Sequence, residues 1–400
     1  MSRPLLLVPG ADRAASALTL EQLWQEGNTV AIAAPEEATL LQAALPARSD
    51  PAWGPAVVLG TGGSSGGRRW CLQPLAHLQA AVDGTAAWLV GLGLEPQRLT
   101  LFNPLPLHHV SGLMPLLRAR AWGAEHRWLG PEIMRCPEAL LAQASPAAGD
   151  GAVLSLVPTQ LQRLLEAPAG ILWLQRFALI WLGGAALPMH QAQRCRELEL
   201  PLSPCYGSTE AGAMVTALAP QRFLAGVEGC GVALPHVQLR VDPVSGGLQI
   251  KAASLALGLL EQGMLRPLSL RQGWWSSGDR AEQVPQGWQI LGRLDGAIQS
   301  GGETVFPEQV QQRLLALARA QQLPIRELLL LPEPDPLWGE RLVALVRPEG
   351  DGVDSLQALI HLARVLPPSQ RPGRWLLCPE LERSPLGKWQ RERWSRWLSS

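Results

Sequence analysis

The sequence predicts an α/β fold in two parts. A large N-terminal layered α/β body with a small β-rich subdomain occupies residues 1–294, and a small α+β C-terminal domain occupies residues 295–400. Three observations predict this. Between about residues 55 and 260, short apolar runs alternate with helix-length amphipathic stretches, the signature of stacked α and β layers. After about residue 225, Gly and Pro become dense and short strands dominate. The last hundred residues then carry a helix and strand alternation of their own. A chain of 400 residues also exceeds the usual size of one compact core.

In order along the body, AVVLG, LTLF, AVLSLV and FALIWLGG read as strands. Helices are expected at 72–93, 110–121, 158–166 and 188–199, the last opened by Pro188, whose missing N–H costs nothing at a helix start. The stretch 141–151 (LAQASPAAGDG) reads as a surface loop. VQLRV and LQIKA are strands of the β-rich subdomain, and residues 274–296 read as a hairpin. In the C-terminal part the pattern predicts a helix at 305–319, strands ELLLLP and RLVALV, a helix at 354–365, strand RWLLC and a terminal helix from 388. The boundary falls near Leu294 and Asp295.

Composition narrows the partners to small molecules. The 34 acidic and 34 basic residues cancel, which excludes the electrostatic footprint of a nucleic-acid or anionic-lipid binder. Six cysteines show neither a CxxC pair nor metal-ligand spacing, and MSRPLLLVPGADR is too short an apolar run for a signal segment, so a cytoplasmic protein with no membrane span is expected. Oligomeric state leaves no trace in the sequence.

Against a background that uses Arg at 32 of 34 basic positions and Trp 16 times, the single Tyr206 and one of two lysines, Lys388, stand out. Lys brings a compact, mobile charge to one oxygen, whereas Arg brings a rigid fork. Upstream, Thr61 to Gly67 form a run of small residues after an apolar strand. Their N–H groups and the hydroxyls of Thr61, Ser64 and Ser65, with Gly66 allowing close approach and Arg68 and Arg69 adding charge, suit an anion; a flexible Gly/Ser turn is the plain alternative. A Walker loop fails because Arg68 and Arg69 stand where Lys and Ser/Thr are needed. In CYGSTEAGA, residues Tyr206, Gly207, Ser208, Thr209 and Glu210 offer an aromatic face, hydroxyls and a carboxylate for a base, phosphate and Mg²⁺, or else a strand-to-helix turn capped by Ser208 or Thr209. Asp279 and Arg293 could hold ribose hydroxyls or be surface charges. Gly301 and Gly302 sit in a loop expected to open a helix. His108 and His109 lack a second ligand pair for a metal.

Taken in order, GTGGSSGGRR, LPLHHVSGL, LGGAALP, YGSTE, SSGD, GRLDGAIQSGGETVFP and SPLGK resemble the core motifs of the adenylate-forming superfamily, which contains acyl-CoA ligases, luciferase and peptide-synthetase adenylation domains. The resemblance covers roughly residues 55–390. Within it, SLVPTQLQRLL together with LPLHHVSGL looks most like the o-succinylbenzoate–CoA ligases of menaquinone and phylloquinone biosynthesis.

The resemblance implies ATP, Mg²⁺ and coenzyme A as co-reactants of a small carboxylic acid, activated as acyl-adenylate and then passed to the CoA thiol. It implies catalysis by Lys388, Glu210 and Thr209, with Glu210 on the metal. Thr61, Ser64, Ser65, Gly66 and Arg69 would hold phosphates. Gly183, Gly184, Ala185, Tyr206 and Gly207 would frame adenine, Asp279 and Arg293 would anchor ribose, and Asp295 would be the hinge that brings Gly301 and Gly302 to the site. His109, Ser111, Thr159 and Gln160 would line the acyl pocket. Arg68, Arg69 and Trp70 replace the usual Pro-Lys-Gly, and Gln309 and Gln311 replace a usual Glu pair. Ligases for other aryl or fatty acids and a non-catalytic nucleotide-binding relative are the rival readings.

Overall fold

The computed structural model describes all residues except 1–2, 62–68, 148–150, 295, 351, 385–386 and 400. Four sheets organise the chain. The first begins within residues 3–54, which the sequence pattern left unassigned. Strands Leu5–Leu7, Thr29–Ile32 and Ala56–Thr61 run parallel, with helix Arg13–Gln25 crossing between the first two, and Arg69–Pro74 returns antiparallel. Strands Gly258–Glu261 and Met264–Pro267, expected in the β-rich subdomain, instead extend this sheet through Gly258–Glu261, which pairs with Arg69–Pro74.

The second sheet has seven strands. Leu202–Ser208, Leu179–Leu182, Gly151–Leu156, Leu99–Asn103 and Glu125–Trp128 are parallel neighbours; Ala213–Ala217 and Val232–Ala233 close one edge antiparallel. Its central strands are continuous apolar runs such as LIWL, as strands covered on both faces must be. Helix Leu75–Gly91 lies between the two sheets. Leu78, Ala81 and Val82 pack with Val57 and Leu59 of the first sheet, while Trp88 and Leu89 join Leu101, Val153 and Leu179 of the second. Its buried side chains serve both sheets, while Gln79 and Asp83 stay exposed and hydrogen-bond each other. Helix Val110–Trp122 shares this layer.

The third sheet is built of antiparallel hairpins: Val237–Val241 with Gly247–Ala252, and Trp274–Val284 with Gly287–Arg293. The fourth joins Glu303–Val305, Ile298–Ser300, Gly339–Pro348, Ile325–Asp335 and Arg374–Leu377. The run LLLL at 328–331 alternates between its faces, as a pleated strand requires. Leu328 and Leu330 meet helices Pro307–Ala320 and Val353–Leu362, whereas Leu329 and Leu331 meet Trp394 of the terminal helix Arg391–Ser399.

Three local expectations are corrected. The YGSTE segment turns between strands Leu202–Ser208 and Ala213–Ala217, so it is a strand-to-strand turn with no helix to cap. Gly301 and Gly302 make the hairpin turn between Ile298–Ser300 and Glu303–Val305, and the following helix starts only at Pro307. The terminal helix begins at Arg391, because the loop carrying Lys388 closes on itself first.

Candidate active site

Strand Ala56–Thr61 delivers Thr61 to the edge of a buried polar cluster. Its hydroxyl donates to Glu210 Oε1 at 2.7 Å, and Glu210 is only 7% exposed. Arg69 is the cross-strand partner of Thr61, and its Nε is buried with no hydrogen-bond partner. Two residues on, burial pushes the Cys71 thiol well up and the Glu210 carboxylate adds to the rise. Gln73 fixes the adjoining turn by donating to the Thr209 carbonyl at 2.7 Å. Ser64, Ser65 and Gly66 lie outside the described residues.

The donor set suits a phosphate with Mg²⁺. Magnesium is ordinarily held by one or two carboxylates plus substrate phosphates. Glu210 is a buried carboxylate that accepts from the Thr61 hydroxyl, and the Arg69 Nε–H is buried with no hydrogen-bond partner among the described residues. Among the described residues, no group of three or more His, Cys, Asp or Glu gathers to hold a metal unaided.

A second cluster lies at the third sheet. Asp279 and Arg293 are register partners across the hairpin and form an ion pair at 3.4 Å; Arg293 also donates to the Ser277 carbonyl at 3.2 Å. Tyr206 donates its hydroxyl to Asp279 Oδ2 at 2.5 Å. Burial first, and the Asp279 carboxylate second, hold the phenol well above its usual range, so it stays a donor. The arrangement presents two carboxylate oxygens beside an aromatic ring.

A third group sits where the parallel strands of the second sheet end, the usual place for ligands in such sheets. A side-chain carbon on Gly183 would lie 3.0 Å from Cys205 Sγ, and one on Gly184 would lie 3.3 Å from Val157. Ala185 follows in the same turn. Val157 precedes helix Pro158–Leu165, and its N–H donates to Gln160 Oε1 at 3.2 Å, so Gln160 is occupied in capping. Thr159, next to it, carries a buried hydroxyl with no partner and touches Gly387 of the Lys388 loop. That loop closes through Ser384 N–H to the Lys388 carbonyl at 2.9 Å and Lys388 N–H to Ser384 Oγ at 3.2 Å.

His109 caps helix Val110–Trp122 with its carbonyl, accepting from Gly112 and Leu113, and its ring stands 4.5 Å from that of His108; Ser111 is exposed in the first turn. Gly207 lies in strand Leu202–Ser208 opposite Met214. Gly301 and Gly302 belong to the fourth sheet, where the Gly301 N–H donates to the Trp338 carbonyl at 2.9 Å, rather than to any of these clusters. Asp295 lies outside the described residues.

One residue escaped the sequence reading. Arg118, 3% exposed, donates to Thr85 Oγ1 at 3.3 Å and lies 4.8 Å over the Trp181 ring; its Nε has no partner, and no acidic side chain pairs with it among the described residues. Burial lowers the guanidinium to about 10. The signal was helical spacing: Arg118 falls four residues after Met114 and three after Pro115, on the buried face.

Residues 12–253 match the AMP-binding enzyme family, and the chain belongs to it. More particularly, the chain is 33% identical over 280 residues to the 2-succinylbenzoate–CoA ligase of Escherichia coli K12, an alignment covering 70% of this chain and 56% of that one. It is 32% identical over 278 residues to the Salmonella typhimurium ligase of the same name, covering 69% and 55%. The chain thus spans little more than half the length of these relatives. Among solved structures, E. coli MenE with a bound m-phenylether-linked analogue of OSB-AMS superposes with a TM-score of 0.63 at 28% identity, covering 86% of this chain and 69% of that one. The Bacillus subtilis o-succinylbenzoate CoA synthetase in complex with OSB-AMP gives 0.79 at 18% identity, covering 98% and 87%, a likeness of fold. No helix among the described residues is long and apolar enough to cross a membrane.

Proposed function

We propose that this protein is an AMP-forming acid–CoA ligase that converts 2-succinylbenzoate to 2-succinylbenzoyl-CoA in quinone biosynthesis. The observation that carries the substrate reading is Arg118, a buried cation with no acidic partner among the described residues. A charge left in an apolar layer is costly, and an incoming carboxylate relieves that cost. Succinylbenzoate has two carboxylates: one to be activated and one to meet Arg118. The names of the E. coli and S. typhimurium relatives support the same substrate.

In the first half-reaction one carboxylate oxygen attacks the α-phosphorus of ATP and pyrophosphate leaves. Two anions must be brought together, so catalysis is positioning and preorganised charge. Thr61 and Arg69, with Ser64, Ser65 and Gly66, bind the β- and γ-phosphates. Glu210, with Thr209 next to it in the chain, would hold Mg²⁺, which would neutralise phosphate charge when bound. Gly183, Gly184, Ala185, Tyr206 and Gly207 frame adenine, and Asp279 and Arg293 take the ribose hydroxyls. His109, Ser111, Thr159 and Gln160 line the acyl side. Lys388 brings its point charge to the carboxylate and α-phosphate oxygens.

In the second half-reaction the CoA thiol attacks the acyl carbonyl and AMP departs. Residues 295–400 act as a unit that turns about Asp295, withdrawing Lys388 and bringing Gly301 and Gly302 to the site. The reaction takes place in the cytoplasm, a reading supported by the six unpaired cysteines.

The test is pyrophosphate release from Mg·ATP with 2-succinylbenzoate, beside benzoate and a medium-chain fatty acid, followed by CoA. Release with succinylbenzoate alone and thioester on adding CoA is the expected result. Release with another acid would keep the adenylation chemistry and discard this substrate.

A further inference from the structure

A cleft of about 820 Å³ is walled by residues of the first and third sheets and by the start of helix Leu75–Gly91. That volume lies within the range of about 300–1,000 Å³ that small-molecule sites occupy. Leu255, Leu257, Leu268 and Pro267 give it an apolar lining, and His77 and Lys251 are its basic groups. No acidic side chain lines it among the described residues.

Lys251 is one of two lysines beside 32 arginines. Strand Gly247–Ala252 alternates, so Leu248 and Ile250 enter the core while Lys251 stays exposed on the other face, across from Gln238. Its stem runs past Gly273, where a side-chain carbon would lie 3.4 Å from Lys251 Cε and 3.9 Å from Nζ.

The wall of the cleft is tied to the turn that carries Glu210. The Ala256 N–H donates to the Glu210 carbonyl at 2.8 Å, and the buried Ser254 hydroxyl donates to the Ala211 carbonyl at 2.8 Å. His77 Nδ1 donates to the Leu255 carbonyl at 2.7 Å, since a carbonyl only accepts. The Leu257 N–H donates to the Leu72 carbonyl at 3.1 Å, and the Leu268 N–H to the Leu257 carbonyl at 3.1 Å. Residues 255–257 thus border the cleft on one hand and brace the Glu210 turn on the other.

We propose that this cleft is a second small-molecule site, for an aromatic carboxylate held by Lys251, and that its occupancy steadies the Glu210 turn and strengthens Mg²⁺ binding there. A single compact ammonium matches a single carboxylate. Pro267 and the His77 ring offer flat faces to an aromatic body. A ligand that orders residues 254–257 leaves less to be ordered when Mg²⁺ binds at Glu210, so each event favours the other. The effect on Mg²⁺ rests on the ligase reading above, whereas the site itself does not.

The probe is 4-benzoylbenzoate, an aromatic carboxylate whose ketone inserts into neighbouring C–H bonds under near-ultraviolet light. The full-length protein is irradiated with it in the absence of ATP, and the label is located by peptide mapping with mass spectrometry. We expect label within residues 251–273, and excess 2-succinylbenzoate should leave it in place. Lys251→Met should reduce it by about tenfold or more, while Lys251→Arg should retain most of it. An unlabelled cleft, or labelling indifferent to Lys251→Met, would overturn the site. Amide hydrogen exchange at residues 209–212 should slow when the probe is bound, and unchanged exchange would overturn the coupling. With Mg·ATP and excess 2-succinylbenzoate, the probe should lower the Mg²⁺ midpoint of pyrophosphate release roughly fivefold, but not in Lys251→Met, whose rate without probe should match the unaltered protein. An equal shift in both proteins would also overturn the coupling. A protein that activates no acid would defeat the ligase reading alone, because labelling and exchange need no turnover.

Discussion

Thr61 donates its hydroxyl to Glu210 at 2.7 Å although 149 positions separate them. One ends a strand of the first sheet and the other lies in a turn at the edge of the second, so the hydrogen bond joins the two layers at the point assigned to phosphate and Mg²⁺. Glu210→Gln keeps an acceptor and removes the charge. It is expected to slow adenylation by about 10²-fold or more, with a higher Mg²⁺ requirement. A Mg²⁺ titration of pyrophosphate release checks this; an unchanged midpoint would remove Glu210 from the metal.

Asp279 is held between Tyr206 and Arg293, with both oxygens engaged. A hydrogen bond to a charged group contributes about 1.5–3 kcal/mol, so Asp279→Ala should raise the KM for ATP roughly 10- to 100-fold. Succinylbenzoate KM should change little. Initial rates over a grid of both substrates separate the two effects.

Lys388→Ala should reduce adenylation by about 10²- to 10³-fold, as the loss of other preorganised donors does. Thioester formation from preformed acyl-adenylate should be far less affected. Equal losses in both steps would contradict the division of labour between the two half-reactions.

Arg118→Met should raise the KM for succinylbenzoate by at least about tenfold while raising the melting temperature, since replacing a buried ionic group by a well-packed apolar one is often neutral or stabilising by about 1–4 kcal/mol. Arg118→Lys, which keeps charge and loses the fork, should fall between. A variant that loses stability without losing acid affinity would make Arg118 structural.

Burial lowers both His126 and His236 to about 4 from the usual 6.5. Their neutral forms belong to the folded state, which therefore binds fewer protons than the unfolded chain between those values. Their contribution is complete above pH 6.5 and is lost as pH falls from 6.5 through 4. Melting temperature against pH should show that fall, and His236→Leu should flatten it.

The sequence by itself determined the α/β class and most strand and helix positions, and it singled out the residues proposed to face the nucleotide. Apolar runs such as LIWL and local turn chemistry in YGSTE and SSGD are short-range properties, readable from neighbours along the chain. Even the pairing of Asp279 with Arg293 was within reach, because a hairpin joins them. The tertiary structure decided what depended on distant partners. Strands Gly258–Glu261 and Met264–Pro267 look like members of the β-rich part until Arg69–Pro74 offers a free edge. The adjacent Gly301 and Gly302 suited several loops, and the register of Ile298–Ser300 with Glu303–Val305 made them a hairpin turn. Arg118 is one of 32 arginines until the helix packs between two sheets and leaves it buried with no acidic partner among the described residues. The seating of Gly387 on Thr159 is likewise invisible in either segment alone, because close approach is a property of two surfaces.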